Sequence, residues 1–220
     1  MPLTQVACTD AIVRHSRGFA AAAARAGLAV PVEHCPGWNV ADLVWHLTDV
    51  HWFWATIARE KLSAPPDESR RPKRPGNSEL LPTFEAGAER LVDVLLDAEP
   101  AAGCWTWAPD RQNVGFIVRH QVQEAVVHHW DVCQSAGRSW SVQPEVAADC
   151  VEEFLEVSVS GRIGAEFAIQ SADTGDAWTL NDGRGGLELT HSTGVPPPTL
   201  RAAPVLRAPS AALLLWLYER

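Results

Sequence analysis

Between Asn39 and Ile57, five residues (Leu43, Leu47, Val50, Trp54 and Ile57) recur at the spacing that places them on one face of an α-helix. A stripe this wide must be buried against a neighbour, so the surrounding chain has to supply further helices. Asn39 is a good N-cap for this helix, with Asp42 three residues on. Asp10 to Ala26 carries Ile12, Val13, Phe19, Ala20 and Ala23 near helical spacing and is stopped by Gly27. Ser78 is expected to cap a third helix, with Pro82 in its first turn and Phe84, Ala88, Leu91 and Leu95 on its buried face. A fourth spans about Val114 to Ala136. Between the second and third, Ser63 to Asn77 holds four prolines and a glycine, which predicts an exposed, mobile loop. Four amphipathic helices with one long connection predict a four-helix bundle over residues 1–140.

The pattern changes after Gly137. A helix from Pro144 to about Ser158 is followed by short runs at Glu166 to Gln170, Trp178 to Leu180 and Leu187 to Thr190 that read as strands. Asp173-Thr174-Gly175-Asp176 and Asn181-Asp182-Gly183 supply turns between them, Pro196 to Pro198 break the chain again, and Pro209 opens a last helix through Leu217. Residues 141–220 therefore predict a small α+β domain, and the whole chain is expected to be α+β, mainly α.

A net charge of −9 would repel nucleic acid and anionic membrane surfaces, so neither is an expected partner. With no charged leader and no apolar run of about 18 residues, a cytoplasmic protein, monomer or homodimer, is expected. The five cysteines are odd in number and lack CxxC spacing, which fits free, reduced, structural thiols.

Chemistry enters with Glu124 and His128. Four residues apart on a helix, they project from one face about 6 Å apart along the axis, and both can reach one ion. On a helical wheel His128 falls roughly 40° and Glu124 roughly 80° from the inward direction, and His46 roughly 60° from the centre of its own stripe. Two imidazoles and one carboxylate on facing helices suit a borderline divalent ion such as zinc and leave positions open for water or substrate. Spacing alone also admits a solvated glutamate beside hydrogen-bonded core histidines.

Two segments carry a resemblance: Cys35-Pro36-Gly37-Trp38-Asn39-Val40-Ala41-Asp42-Leu43-Val44-Trp45-His46-Leu47, and Glu124-Ala125-Val126-Val127-His128-His129-Trp130-Asp131. They resemble the mycothiol-dependent maleylpyruvate isomerase family, within the DinB-like superfamily of metal-binding helical bundles. The resemblance implies a DinB-like bundle followed by a small α+β domain, with metal ligands at His46, Glu124 and His128. It implies zinc or another divalent metal as cofactor and mycothiol as thiol cosubstrate acting on a small molecule. The family's His before the ligand glutamate is Gln123 here, and its functional arginine corresponds to Arg220, preceded by Glu219 in place of the usual glycine. Arg201 and Arg207 are further candidates for a substrate carboxylate. The implied activity is an isomerase in which the thiolate adds to a double bond and leaves again. The same chemistry would serve a mycothiol S-transferase, and a metal hydrolase or a non-catalytic binding protein with a structural metal are the alternatives of other classes.

Other residues receive plainer readings. His51 is expected to be a packing or surface histidine, His120 to lie nearer the outside than either ligand, and His129 to point about 100° from His128. Asp131 is read as an exposed carboxylate that can steady His128 through a hydrogen bond. Cys35 and Cys133 are read as structural thiols, and Trp105 and Trp107 as packing residues at the edge of a pocket.

Overall fold

A computed structural model describes residues 3–159, 163–164, 166–183, 187–193 and 204–220. Contacts divide the chain into two compact units, Leu3–Ser141 and Val142–Arg220.

The first unit is built from α1 (Gln5–Ala26), α2 (Val40–Glu60), α3 (Asn77–Asp97) and α4 (Val114–Ser135). α1 starts five residues earlier than its apolar spacing predicts, because Thr4 accepts from the Ala7 N–H at 3.2 Å and caps the helix there. Asn39 and Asp42 form the expected capping box of α2, each side chain accepting from the other's backbone N–H at 3.0 Å. Ser78 does not cap α3. The N-cap is Gly76, and Pro82 falls in the second turn, where the carbonyl it leaves without a donor belongs to exposed Ser78 and can meet water. α4 begins at Asn113, whose side chain accepts from the Phe116 N–H at 3.0 Å.

α1 packs on α3 and α4, and α2 packs on the same two helices, which closes a four-helix ring. Phe19, Leu43, Leu47, Leu80 and Phe84 fill one end of its core, and the Phe19 and Phe84 rings lie 4.8 Å apart. The seam between α2 and α4 is the most sparsely packed of the four. The connection from α2 to α3 lacks regular structure beyond a short 3-10 turn, Glu68–Arg70, and its arginines bond to carboxylates of α2. Arg70 reaches back to Glu60 with two bonds of 2.6 and 2.8 Å, Arg71 to Asp49, and Arg74 to Asp42 at 2.7 Å. Proline excludes a helix here, yet the intervening arginines find carboxylates along α2.

His129 points away from the His128 side and lies against α1. A Cβ on Gly18 would sit 2.4 Å from the His129 ring, so only glycine leaves room for that ring at the α1–α4 crossing. The His129 and His15 Nδ1 atoms meet at 3.0 Å.

The second unit contains α5 (Pro144–Val157), β1 (Phe167–Ser171), β2 (Asp176–Asp182), β3 (Leu187–Thr193), β4 (Val205–Ala208) and α6 (Ser210–Leu217). The sheet order is β3-β2-β1-β4, antiparallel except for the parallel β1–β4 pair. The turn after β1 forms where expected, with Gly175 at φ 78°. Asp173 accepts from the Ser171 hydroxyl at 2.7 Å and the Ser210 N–H at 3.0 Å, which joins that turn to the start of α6. Asn181 and Asp182, expected in a turn, instead pair with Glu188 and Leu187 as part of the sheet. β4 was not anticipated, and Pro196 to Pro198 lie outside the described residues. All five cysteines are free, and no described helix is long and apolar enough to cross a membrane.

Burial, the neighbouring His129 and Arg14 push the pKa of His15 from 6.5 to about 4, and burial holds His129 at about 4 as well. Between the two values the unfolded chain binds more protons than the native one. The contribution to stability is therefore complete above 6.5 and is lost as pH falls toward 4. For His15 the expected loss at about pH 4.5 is on the order of 2 kcal/mol. Urea midpoints of wild type and His15→Leu, compared between about pH 7 and pH 4.5, should show the shallower slope in the variant; equal slopes would contradict it.

Candidate metal centre

His46 projects from α2, and Glu124 and His128 from α4, into the sparsely packed seam between these helices. The α2 stripe centred on Leu43, Leu47 and Trp54 faces the core, which leaves His46 at its edge, and the four-residue spacing stacks Glu124 under His128. The structure brings the three together. Glu124 Oε2 is 3.6 Å from His46 Nε2 and 3.5 Å from His128 Nε2, and one donor atom from each residue lies within 4.8 Å of the other two. The two imidazole rings stand nearly perpendicular, 81° apart, with centroids 5.1 Å apart.

These separations are too long for good hydrogen bonds, and buried Glu124 Oε2 has no hydrogen-bond partner. They are the right length for something else. Donors about 2.0–2.2 Å from a tetrahedral zinc ion lie roughly 3.3–3.6 Å from one another. A buried carboxylate oxygen without a partner, set between two imidazole nitrogens at that spacing, fits a divalent cation. Electrostatics agrees: burial opposes ionisation of Glu124, but His128, His46 and His120 outweigh it and hold the carboxyl well below its usual range. Burial likewise opposes a charge on His128, yet Asp131, Cys35 and Glu124 raise it well above the ordinary imidazole value. The cluster therefore calls for positive charge, and a proton and a metal ion compete to supply it.

The surroundings revise several of the plainer readings. Asp131 is not an exposed carboxylate: its side chain is fully buried and accepts from His128 Nδ1 at 2.8 Å. Because the carboxylate only accepts, the proton sits on Nδ1 and the Nε2 edge faces Glu124. Cys35 donates its S–H to the same Asp131 oxygen at 3.8 Å. His120 is not on the outside either. With its side chain 12% exposed it is more covered than His46 at 32%, and its Nε2 is 3.7 Å from Glu124 Oε1. Phe116, Trp107 and Trp54 surround its ring, at 5.5, 5.4 and 6.1 Å. Trp107 thus reaches the flank of the cluster while remaining 41% exposed. Helical angle alone missed the burial of both residues, although the Asp131–His128 hydrogen bond was anticipated. Asp131 at three residues beyond a histidine was the one local signal available.

His51 is buried against Phe84, is not part of the donor cluster, and has an Nδ1 with no hydrogen-bond partner. Burial drives its pKa down to about 3, with Glu124 opposing and His46 and Arg90 adding to the shift. Gln123 is buried on α4. In the C-terminal unit, Arg220 donates to the Tyr218 carbonyl at 2.7 Å and lies over the Tyr218 ring, 5.7 Å from its centroid. Arg207 lies on β4, paired in register with Gln170, and Arg201 is outside the described residues.

Comparison with known proteins bears on this geometry. The family model for the mycothiol maleylpyruvate isomerase N-terminal domain matches residues 9–133, a span that includes His46, Glu124 and His128. A solved structure described as the crystal structure of the mycothiol-dependent maleylpyruvate isomerase aligns with a TM-score of 0.60 at 11% identity, covering 98% of this chain and 89% of that one. At that identity the likeness concerns the fold, and it agrees with the expected α+β, mainly α, DinB-like class. No curated protein matches the sequence significantly.

Proposed function

Because the chain belongs to the mycothiol maleylpyruvate isomerase family by its N-terminal domain, we propose that it is a metal-dependent enzyme that activates a low-molecular-weight thiol, mycothiol, toward an unsaturated or electrophilic small molecule. The observation that carries this reading is the partnerless Glu124 oxygen held 3.5 and 3.6 Å from the Nε2 atoms of His128 and His46. These three residues would hold one divalent ion, for which zinc suits the donor set. When bound, such an ion lowers the pKa of a thiol, which is otherwise about 8.5, so that the nucleophilic thiolate is present near neutral pH.

The chain's own residues would do the rest. Three protein donors leave room for thiol or substrate beside them, and Asp131 keeps the proton on His128 Nδ1, so that Nε2 stays available as a donor. Trp38, 5.1 Å from the His46 ring, limits the motion and hydration of that imidazole. On the isomerase reading, the thiolate forms a C–S bond at the double bond of maleylpyruvate, the resulting single bond rotates, and the same C–S bond breaks to release the trans isomer with no net oxidation. By the family resemblance alone, Arg220 is the candidate for a substrate carboxylate, which a guanidinium can bind through two parallel hydrogen bonds. An S-transferase would differ in its product, which keeps the C–S bond.

Purified protein reconstituted with zinc should hold about one equivalent, and mycothiol should raise its melting temperature. It should convert maleylpyruvate to its trans isomer only when mycothiol is present. A stable thioether product would make it a transferase instead. His46→Ala should lose most of its ion and its activity while remaining folded; full metal content in that variant would remove the proposed ligand set. His51→Leu, by contrast, should keep one equivalent of metal and be within about 1 kcal/mol of wild type in stability, since it removes a buried polar atom without a partner. Loss of metal in this second variant would make His51 a ligand.

A further inference from the structure

The Cys35-Pro36-Gly37-Trp38 turn touches the His46 imidazole and the carboxylate that holds the His128 imidazole, a role that the ligand set alone does not explain. Pro36 and Gly37 occupy the two central positions, with Gly37 at φ 83°, and the Trp38 N–H returns to the Cys35 carbonyl at 2.9 Å. Positive φ at the third residue is what a type II turn requires, and glycine adopts it without strain. The ends of the turn are tied as well, Cys35 N–H to Val32 O at 3.2 Å and Val32 N–H to Trp38 O at 3.0 Å. Cys35 and Trp38 are thus presented from one closed loop. From it, the Trp38 ring meets His46, and the Cys35 thiol meets the Asp131 oxygen that holds His128.

We propose that this turn is a positioning device for the metal centre: Cys35, through Asp131, fixes the ring of His128, while Trp38 fixes that of His46, so that the donors are set before an ion arrives. This inference rests on the reading of His46, Glu124 and His128 as ligands. The donor atoms of Cys35, Asp131 and His128 also lie within 4.8 Å of one another, but Asp131 takes the Nδ1 edge of His128 while Glu124 lies toward its Nε2 edge, so Cys35 and Asp131 are assigned as positioning residues. A buried carboxylate that accepts two hydrogen bonds, one from the imidazole and one from the thiol, is held in a single orientation. Cys35 is the only one of the five cysteines that is not buried, which sets it apart from thiols that only fill the core.

The test is zinc affinity of the full chain, measured by competition with a chromophoric chelator, together with the absorption spectrum of the cobalt-substituted protein. Wild type serves as the control: if it binds no zinc, the ligand reading itself falls and this inference falls with it. Given a wild type that binds, Asp131→Asn should weaken zinc binding about tenfold or more. Cys35→Ala should weaken it roughly threefold to tenfold, as expected for the loss of one hydrogen bond. Cys35→Ser restores a donor and should return affinity and cobalt spectrum close to wild type, a rescue that simple packing at this position would not produce. Affinities within about twofold of wild type in both Cys35→Ala and Asp131→Asn would overturn the proposal. So would a thiolate-to-cobalt charge-transfer band in wild type that disappears in Cys35→Ala, since Cys35 would then be a ligand.

Discussion

A carboxylate oxygen enclosed between two imidazoles is the condition around which the helical unit is organised. Glu124 Oε2 is buried with no hydrogen-bond partner, a state that costs several kcal/mol for an uncompensated ion. The compensation comes from histidines on two different helices, so it exists only while α2 and α4 keep their register. That register is held by apolar packing within a turn of the donors, where Leu43 and Leu47 of α2 and Val132 of α4 share one core. The polar seam is thus maintained by the rest of the ring, which explains how two helices with so few mutual contacts can still hold three side chains together.

Local structure reinforces this. The capping box at Asn39 and Asp42 begins α2 immediately after the turn that carries Cys35 and Trp38. A displaced helix start would move His46 along with the turn that packs on it. Arg71 and Arg74 bind Asp49 and Asp42 on the same helix and hold the long connection against it. On the other flank, Trp54 of α2 and Trp107 of the segment before α4 enclose His120 beside Glu124. The donors are therefore bordered by aromatic rings, which lower the local polarity and strengthen electrostatic interactions beside them.

Much of this was legible in the sequence because it is local or periodic. The stripe on α2 shows which face turns inward whatever packs against it, and the ExxxH spacing fixes how Glu124 and His128 stack. Asn39 and Asp42 announce their cap through three-residue spacing alone. What stayed hidden depends on contacts distant in sequence. His120 and Asp131 stand at angles that look exposed on an isolated helix. They are covered by Trp107 and by Cys35, the latter 96 residues away from Asp131. Composition marked Ser63 to Asn77 as irregular but did not show that its arginines meet carboxylates on α2. β4 pairs in parallel with β1 across a long connection, and Val205 to Ala208 carry no turn signal to announce it. Ser78 looked like a cap, but the cap falls two residues sooner, on Gly76.

Membership of the family and the agreement in fold place the chain among relatives of a thiol-dependent isomerase, and the donor cluster is where such chemistry would be carried out. The most direct test is X-ray absorption at the zinc edge of the reconstituted protein. The account predicts one zinc per chain bound by two imidazole nitrogens and a carboxylate oxygen, with no sulfur neighbour until thiol is added. A sulfur scatterer in the absence of thiol, or a zinc site unchanged by Glu124→Ala, would contradict it.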